Sequence, residues 1–435
     1  MIWSKYNLLF KSEKYGFLLY NSLSNCFIEL KENLYNMLTN IDKSDNNLEK
    51  KLPENIVEPL KEHRILVNSD LDEFYNIKYQ TLFNRFYDKH LELTINPTLA
   101  CNFACPYCFE ENKTFSTMTD EIENNLIKFI DSYKTINGLS VVWFGGEPLM
   151  AFNRIESISK KILEKDIAYE AKMITNGYLL SEKIINSLEK LKINSLQITL
   201  DGTEDAHNSR RFLHNGKGTF NKIISNIESI LTNSPKTQII IRVNIDETNA
   251  GQFVEIYKYL LNKWKHLKNP NFYIVPGFVE QSNVCSSVSG CLFDRKKKVK
   301  FLGELYENYG LNSLGFYPEN DKYECPARNP YHLTIGPEGE LYKCWNDIGN
   351  VEKIVGNINI KGSLNNTLLT RYYTAADPLE DVKCINCFHF PTCGGGCPYL
   401  RIEGLYNNVE VDTCCLIKDN AIQFLEWHYD FQRNF

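Results

Sequence analysis

From residue 91 to residue 277, runs rich in β-branched and other apolar residues alternate with amphipathic helical stretches. This alternation constrains the fold more than any other feature of the chain. Strand-like segments stand at 91–98 (LELTINPT), 139–148 (LSVVWFGGEP), 169–177 (YEAKMITNG), 195–202 (SLQITLDG), 238–246 (QIIIRVNID) and 271–277 (NFYIVPG), with stretches such as TDEIENNLIKFIDSYK and EKIINSLEKLK between them. Repeated βα units predict an α/β fold with a parallel sheet, curved into a partial or full barrel. Chemistry in such folds gathers at the C-terminal ends of the strands. The conspicuous polar groups lie there: Gly145-Gly146-Glu147, Thr175-Asn176-Gly177 and Asp201-Gly202.

Directly after the first strand comes CNFACPYC, which places Cys101, Cys105 and Cys108 in one loop at the predicted barrel mouth. The formal net charge of -6 argues against a nucleic-acid partner bound by charge, and the one basic block, DRKKKVK at 294–300, reads as a solvated helix face. No apolar run reaches the ~18 residues a membrane span needs, and MIWSKYNLLFKSEKYG lacks the apolar core of a signal peptide. A cytoplasmic protein is therefore expected. In a reducing compartment, the clusters among its 14 cysteines point to metal ligands or catalytic groups, while the solitary Cys26 reads as an inert buried thiol. A zinc ion at Cys101, Cys105 and Cys108 needs a fourth ligand, and the nearest later His or Cys is His207. The alternative is a [4Fe-4S] cluster with three irons held by thiolate and the fourth open.

CNFACPYC, with Tyr107 as its aromatic residue, resembles the CxxxCxφC signature of the radical S-adenosylmethionine (SAM) enzymes, and Gly145-Gly146-Glu147 after the second strand resembles their SAM-binding motif. The resemblance spans residues 91 to about 310. It implies a partial (β/α)6 TIM-type barrel and a [4Fe-4S] cluster on Cys101, Cys105 and Cys108. SAM bound at the open iron yields a 5'-deoxyadenosyl radical, with electrons from a flavodoxin- or ferredoxin-type reductant. Gly145, Gly146 and Glu147 would hold the amino group of SAM, and Tyr107 and the Phe109 backbone would approach its adenine. Thr175, Asn176, Asp201 and Arg242, at later strand ends, would contact SAM or substrate, or else serve as caps and turn residues.

A second signature follows. Cys325, Gly339 and Cys344 form C-x13-G-x4-C, and CINCFHFPTCGGGC adds Cys384, Cys387, Cys393 and Cys397 before the final pair Cys414-Cys415. Two zinc ribbons fit the paired cysteines alone. The whole order resembles the SPASM domain, which implies two auxiliary [4Fe-4S] clusters and three clusters in all. Auxiliary cluster I would take Cys325, Cys344 and Cys397, its fourth position filled by Cys285 or Cys291 or left open to a substrate thiolate. Auxiliary cluster II would take Cys384, Cys387, Cys393 and one of the final pair. Cys415 is preferred because it directly precedes the helical run LIKDNAIQFLEWHYDF.

Residues 1–90 read as a separate hairpin-and-helix unit with a winged-helix pattern, similar to the PqqD-like recognition element for ribosomally made precursor peptides. The expected division is 1–90 for peptide recognition, 91–315 for the radical SAM barrel and 316–435 for the SPASM domain. The resemblance implies a peptide maturase that installs a crosslink: a Cys thioether first, a carbon-carbon bond of Lys-Trp or cyclophane type second. A sulfatase-maturing enzyme ranks lower, because its acidic base directly follows the cysteine of G-x4-C, where this chain has Trp345, with Asp347 two positions too late. A non-catalytic Fe-S or zinc scaffold explains the cysteines without explaining Gly145-Gly146-Glu147.

Overall fold

The computed structural model describes residues 1–108, 115–268, 270–279, 292–311 and 324–434. Phe109, Cys285 and Cys291 lie outside the described residues. The chain folds into two compact units, one comprising Met1–Phe86, Arg295–Asn329 and Arg371–Phe435, the other Tyr87–Asp294 and Pro330–Thr370.

The chain begins with β1 (Ile2–Trp3), β2 (Asn7–Ser12), β3 (Gly16–Asn21), β4 (Cys26–Leu30), α1 (Glu32–Asn40), α2 (Glu54–Glu62), β5 (Leu66–Val67) and α3 (Asp70–Arg85). β2, β3 and β4 form an antiparallel sheet in that order, and β1 pairs with β5. The hairpin expected in this N-terminal segment is β3–β4, turning at Asn21. Its turn closes because Asn21 Oδ1 accepts the backbone N–H groups of Leu23 and Ser24, while Asn21 Nδ2 donates to Asn7 Oδ1 and the Arg64 carbonyl. β2 is an additional strand that the sequence pattern did not mark. Trp3, Leu19, Leu38, Val57, Leu60 and Leu66 share one buried core.

In the second unit the alternation is realised as β6 (His90–Ile95), α4 (Asp120–Ser132), β7 (Gly138–Trp143), α5 (Phe152–Leu163), β8 (Ala168–Thr175), α6 (Glu182–Ile185), β9 (Ile193–Leu200), α7 (Glu204–Arg210), α8 (Phe220–Asn233), β10 (Gln238–Ile245), α9 (Phe253–Trp264) and β11 (Phe272–Phe278). Neighbouring strands from β6 to β11 pair in parallel. Ile239, Ile241, Val243 and Ile245 of β10 are fully buried and alternate with half-exposed residues, the period-two pattern of a strand with one face covered. Among the described residues β11 pairs with β10 alone, so the six-strand array is open there, as a partial barrel is.

After α10 (Arg295–Tyr309), the strands β12 (His332–Ile335), β13 (Glu340–Tyr342) and β14 (Gly356–Asn357) extend the same sheet beyond β6, β12 running parallel to β6 and the rest antiparallel. Leu333, Ile335, Tyr342 and Val355 are buried there. The chain ends with α11 (Asn366–Thr370), α12 (Val382–Ile385), α13 (Phe390–Cys393), α14 (Pro398–Tyr406) and α15 (Ala421–Asn434). Those last four helices share the first unit with the N-terminal strands. There Tyr6 and Phe74 pack with Leu379 and Phe390, against which Cys384 and Cys387 lie half-buried.

Candidate radical SAM site

Gly145 and Gly146 sit where no side chain fits. A Cβ on Gly146 would stand 2.3 Å from the Ala100 carbonyl oxygen and 2.4 Å from that of Leu99, and Gly145 has φ +122° with Thr98 O equally close to its missing Cβ. The Gly146 and Glu147 amides donate to Thr98 O and Ala100 O. The turn after β7 is thereby locked onto the segment that leads into Cys101. Glu147 is fully buried. Its carboxylate accepts Thr175 Oγ1 at 2.6 Å, the Asn176 amide at 2.7 Å and the Leu149 amide at 3.0 Å. Burial pushes its pKa up, and these three donors pull the other way. Asn176 Nδ2 reaches Asn102 Oδ1 at 2.8 Å, so the ends of β7 and β8 both converge on the three-cysteine loop.

A segment that sequence reasoning missed holds the other side of that loop. The Ala104 amide bonds to Phe212 O, Phe103 bridges to Leu213, and His214 Nε2 donates to Cys101 O at 2.9 Å. Arg211 Nη1 donates to the Tyr107 hydroxyl at 2.9 Å, and the Arg210 guanidinium lies 4.9 Å from the Tyr107 ring centroid. Arg210 also bridges Asp201 and Asp246, at 2.8 Å each. His207 does not join the cysteines, so it is no fourth zinc ligand. It is buried, and burial with the nearby Arg211 charge drives its pKa well down. Its Nδ1 accepts the Asp201 amide, so Nε2 carries the proton toward Thr219 Oγ1. The available signal was HNSRRF, charged residues just beyond the Asp201 strand end.

Arg242, on β10, donates from Nε to Asn244 Oδ1 at 3.0 Å and occupies space left by Gly277, whose Cβ would fall 2.3 Å from that nitrogen. Trp345, half-exposed, packs its ring 5.9 Å from that of Phe144, the residue before Gly145, whereas Asp347 is buried.

Among the described residues no three His, Cys, Asp or Glu side chains form a metal-ion site. A four-iron cubane takes one thiolate per iron, so its ligands surround a body rather than a point. The donor chemistry suits such a group. The Phe103 amide points at Cys101 Sγ at 3.4 Å. In the first unit, the Cys415 thiol donates to Cys393, and the backbone N–H groups of Gly395, Cys415 and Gly396 add to it, holding the Cys393 thiol below its ordinary range against the effect of burial. Gly394, Gly395 and Gly396 all have positive φ, and a Cβ on Gly396 would meet Thr413 O at 1.9 Å. Cys415 is the member of the final pair that lies against Cys393, while Cys414 is exposed beside Lys418. Cys325 and Cys397 belong to the first unit and Cys344 to the second.

Residues 95–260 match the model of the radical SAM superfamily, so this segment is a radical SAM domain and the chain is an enzyme. Its similarities reach further. A cysteine-type anaerobic sulfatase-maturating enzyme of Clostridium novyi (strain NT) is 24% identical over 360 residues, covering 75% of this chain and 93% of the relative. The radical SAM cyclopropyl synthase TigE of Paramaledivibacter caminithermalis is 23% identical over 468 residues, covering 94% and 92%. Among solved structures, native anSMEcpe with bound AdoMet and Cp18Cys peptide superposes with a TM-score of 0.61 at 20% identity, over 79% of this chain and 98% of that one. That likeness shows a shared fold. Among the described residues no helix is long and apolar enough to cross a membrane.

Proposed function

We propose that the chain is a cytoplasmic peptide maturase that removes hydrogen from a ribosomally made precursor and closes an intramolecular crosslink, with a Cys thioether as the leading product. The observation that carries the reading is the Gly145-Gly146-Glu147 turn, bonded through its backbone to residues 98–100 and so to the loop of Cys101, Cys105 and Cys108. A [4Fe-4S] cluster on these cysteines, with SAM, would supply a 5'-deoxyadenosyl radical. Glu147, fully enclosed, would fix the turn whose backbone receives the amino group of SAM. Tyr107, held by Arg211, would flank the adenine together with Phe109. Thr175 and Asn176 brace Glu147; Asp201 directly follows β9, while Arg242 lies within β10 and not at its end as expected, and both would contact SAM or substrate. Cys325, Cys344 and Cys397, and Cys384, Cys387, Cys393 and Cys415, would hold two further clusters.

Residues 1–90 would grip the leader of the precursor. Among the described residues β2 and β4 each pair with β3 alone, and an unpaired strand edge receives an extended peptide through backbone hydrogen bonds. The Cp18Cys peptide bound by anSMEcpe supports a peptide substrate. A flavodoxin- or ferredoxin-type protein would supply electrons.

Anaerobic reconstitution should give about twelve Fe per chain, and replacing Cys101, Cys105 and Cys108 with Ala should remove one cluster and all SAM cleavage. Stoichiometric zinc with little iron would sink the reading. Turnover with a short Cys-rich or Lys/Trp-bearing candidate precursor peptide, followed by iodoacetamide and mass spectrometry, identifies the bond. A product lighter by two hydrogens with one fewer alkylatable thiol per crosslink is the expected result; the same loss with every thiol still alkylatable points to carbon-carbon closure. The Clostridium novyi relative favours a second reading, formylglycine formation, which hydrazide capture of an aldehyde would detect.

A further inference from the structure

Arg401, on α14, is 8% exposed and sets its guanidinium against Cys384. Nη1 donates to Cys384 Sγ at 3.5 Å and to Gly395 O at 3.3 Å, Nε to Ala376 O at 3.2 Å, and Nη2 to Asp381 Oδ2 at 2.6 Å. Asp381 is the N-cap of α12, the short helix that carries Cys384, and its side chain accepts the Lys383 amide. The same Asp381 Oδ2 lies 3.5 Å from Cys384 Sγ. One sulfur is thus faced at equal distance by a permanent cation and a carboxylate, both held by further bonds.

We propose that Arg401 and Asp381 are opposed positioning residues that trim the reduction potential of the cluster held by Cys384, Arg401 raising it and Asp381 lowering it. This rests on the reading of Cys384 as a cluster ligand. Reduction adds one negative charge to a cluster, so a fixed guanidinium donating to a ligand sulfur favours the reduced state and a nearby carboxylate disfavours it. Arginine suits the role because it stays charged when buried and its planar fork reaches several acceptors at once. A ligand-orienting function alone would also use these bonds, but it would not predict shifts of opposite sign for the two residues.

The test is an EPR-monitored redox titration of the anaerobically reconstituted full chain, with Cys384→Ala identifying the signal that belongs to this cluster. Arg401→Met should move its midpoint to more negative potential by about tenfold in the reduction equilibrium, ~59 mV for one electron. Asp381→Asn should move it the opposite way, and Arg401→Lys should restore most of the shift seen in Arg401→Met. Unchanged potentials at unchanged iron content overturn the proposal, as do shifts of the same sign for both residues. If Arg401→Met fails to assemble its clusters, Asp381→Asn decides: a positive shift supports the proposal and no shift overturns it. Full iron content in Cys384→Ala would instead reject the ligand assignment, a failure distinct from that of the trimming role.

Discussion

Gly146 and Gly251 both lack a positive φ, yet their surroundings differ completely. Backbone oxygens crowd the place of the Gly146 side chain, while nothing lies within 4 Å of a Cβ on Gly251. Backbone atoms cannot swing aside as a flexible side chain would, so Gly146→Ala must push the 98–100 segment and with it the cysteine loop. Overpacking of this kind costs about 1–3 kcal/mol. Thermal unfolding and chromatography of 5'-deoxyadenosine should show a destabilised chain with little SAM cleavage, whereas Gly251→Ala should match the wild type on both measures.

Among the elements, α3 carries a pH-dependent anchor. Ser69 caps its N-terminus, and Glu73, in its first turn, is buried and accepts Ser4 Oγ at 2.8 and 2.9 Å. Burial pushes the Glu73 carboxyl up to about 7, with the Ser4 bond and the Lys5 and Arg64 charges opposing and Asp70 reinforcing the rise. A folded-state value above the unfolded one means that the folded chain binds the proton more tightly. The contribution is complete below about pH 4.3 and is lost as pH climbs to about 7, at most about 4 kcal/mol. Glu73→Gln keeps the shape without the charge, so it should flatten the fall in melting temperature between pH 5 and 7 and leave the variant more stable than wild type at pH 8. A parallel decline in both proteins would show that Glu73 is not the source.

At the scale of the whole molecule, the N-terminal 86 residues share a compact unit with the cysteine-rich C-terminus. Arg85, almost wholly buried, donates to both Glu324 and Asp377. Ser22 Oγ donates to Phe388 O, and His428 meets Asn25. Deleting residues 1–85 together with Arg85 would leave two carboxylates without their cation, and breaking a buried pair costs about 3–5 kcal/mol. The truncated chain should therefore keep reductive SAM cleavage, whose residues lie in the other unit, but lose the iron assigned to Cys384, Cys387, Cys393 and Cys415. Iron analysis beside a SAM-cleavage assay checks this; full iron retention would show that the N-terminal segment is separable.

The sequence by itself determined the six βα units and the grouping of Cys101, Cys105 and Cys108, because a strand period, a helix period and cysteines three or four residues apart are all written in contiguous residues. Gly145-Gly146-Glu147 was legible for the same reason, as a short motif at a strand end. The Arg210–His214 clamp on the cysteine loop, the Arg85 link to Glu324 and Asp377, the placing of Arg401 against Cys384 and the addition of β12 to β6 were decided only by the tertiary structure. Their partners stand from 17 to more than 200 residues apart in sequence, and such meetings follow from how buried surfaces pack and which polar groups burial obliges to pair, neither of which any local period records.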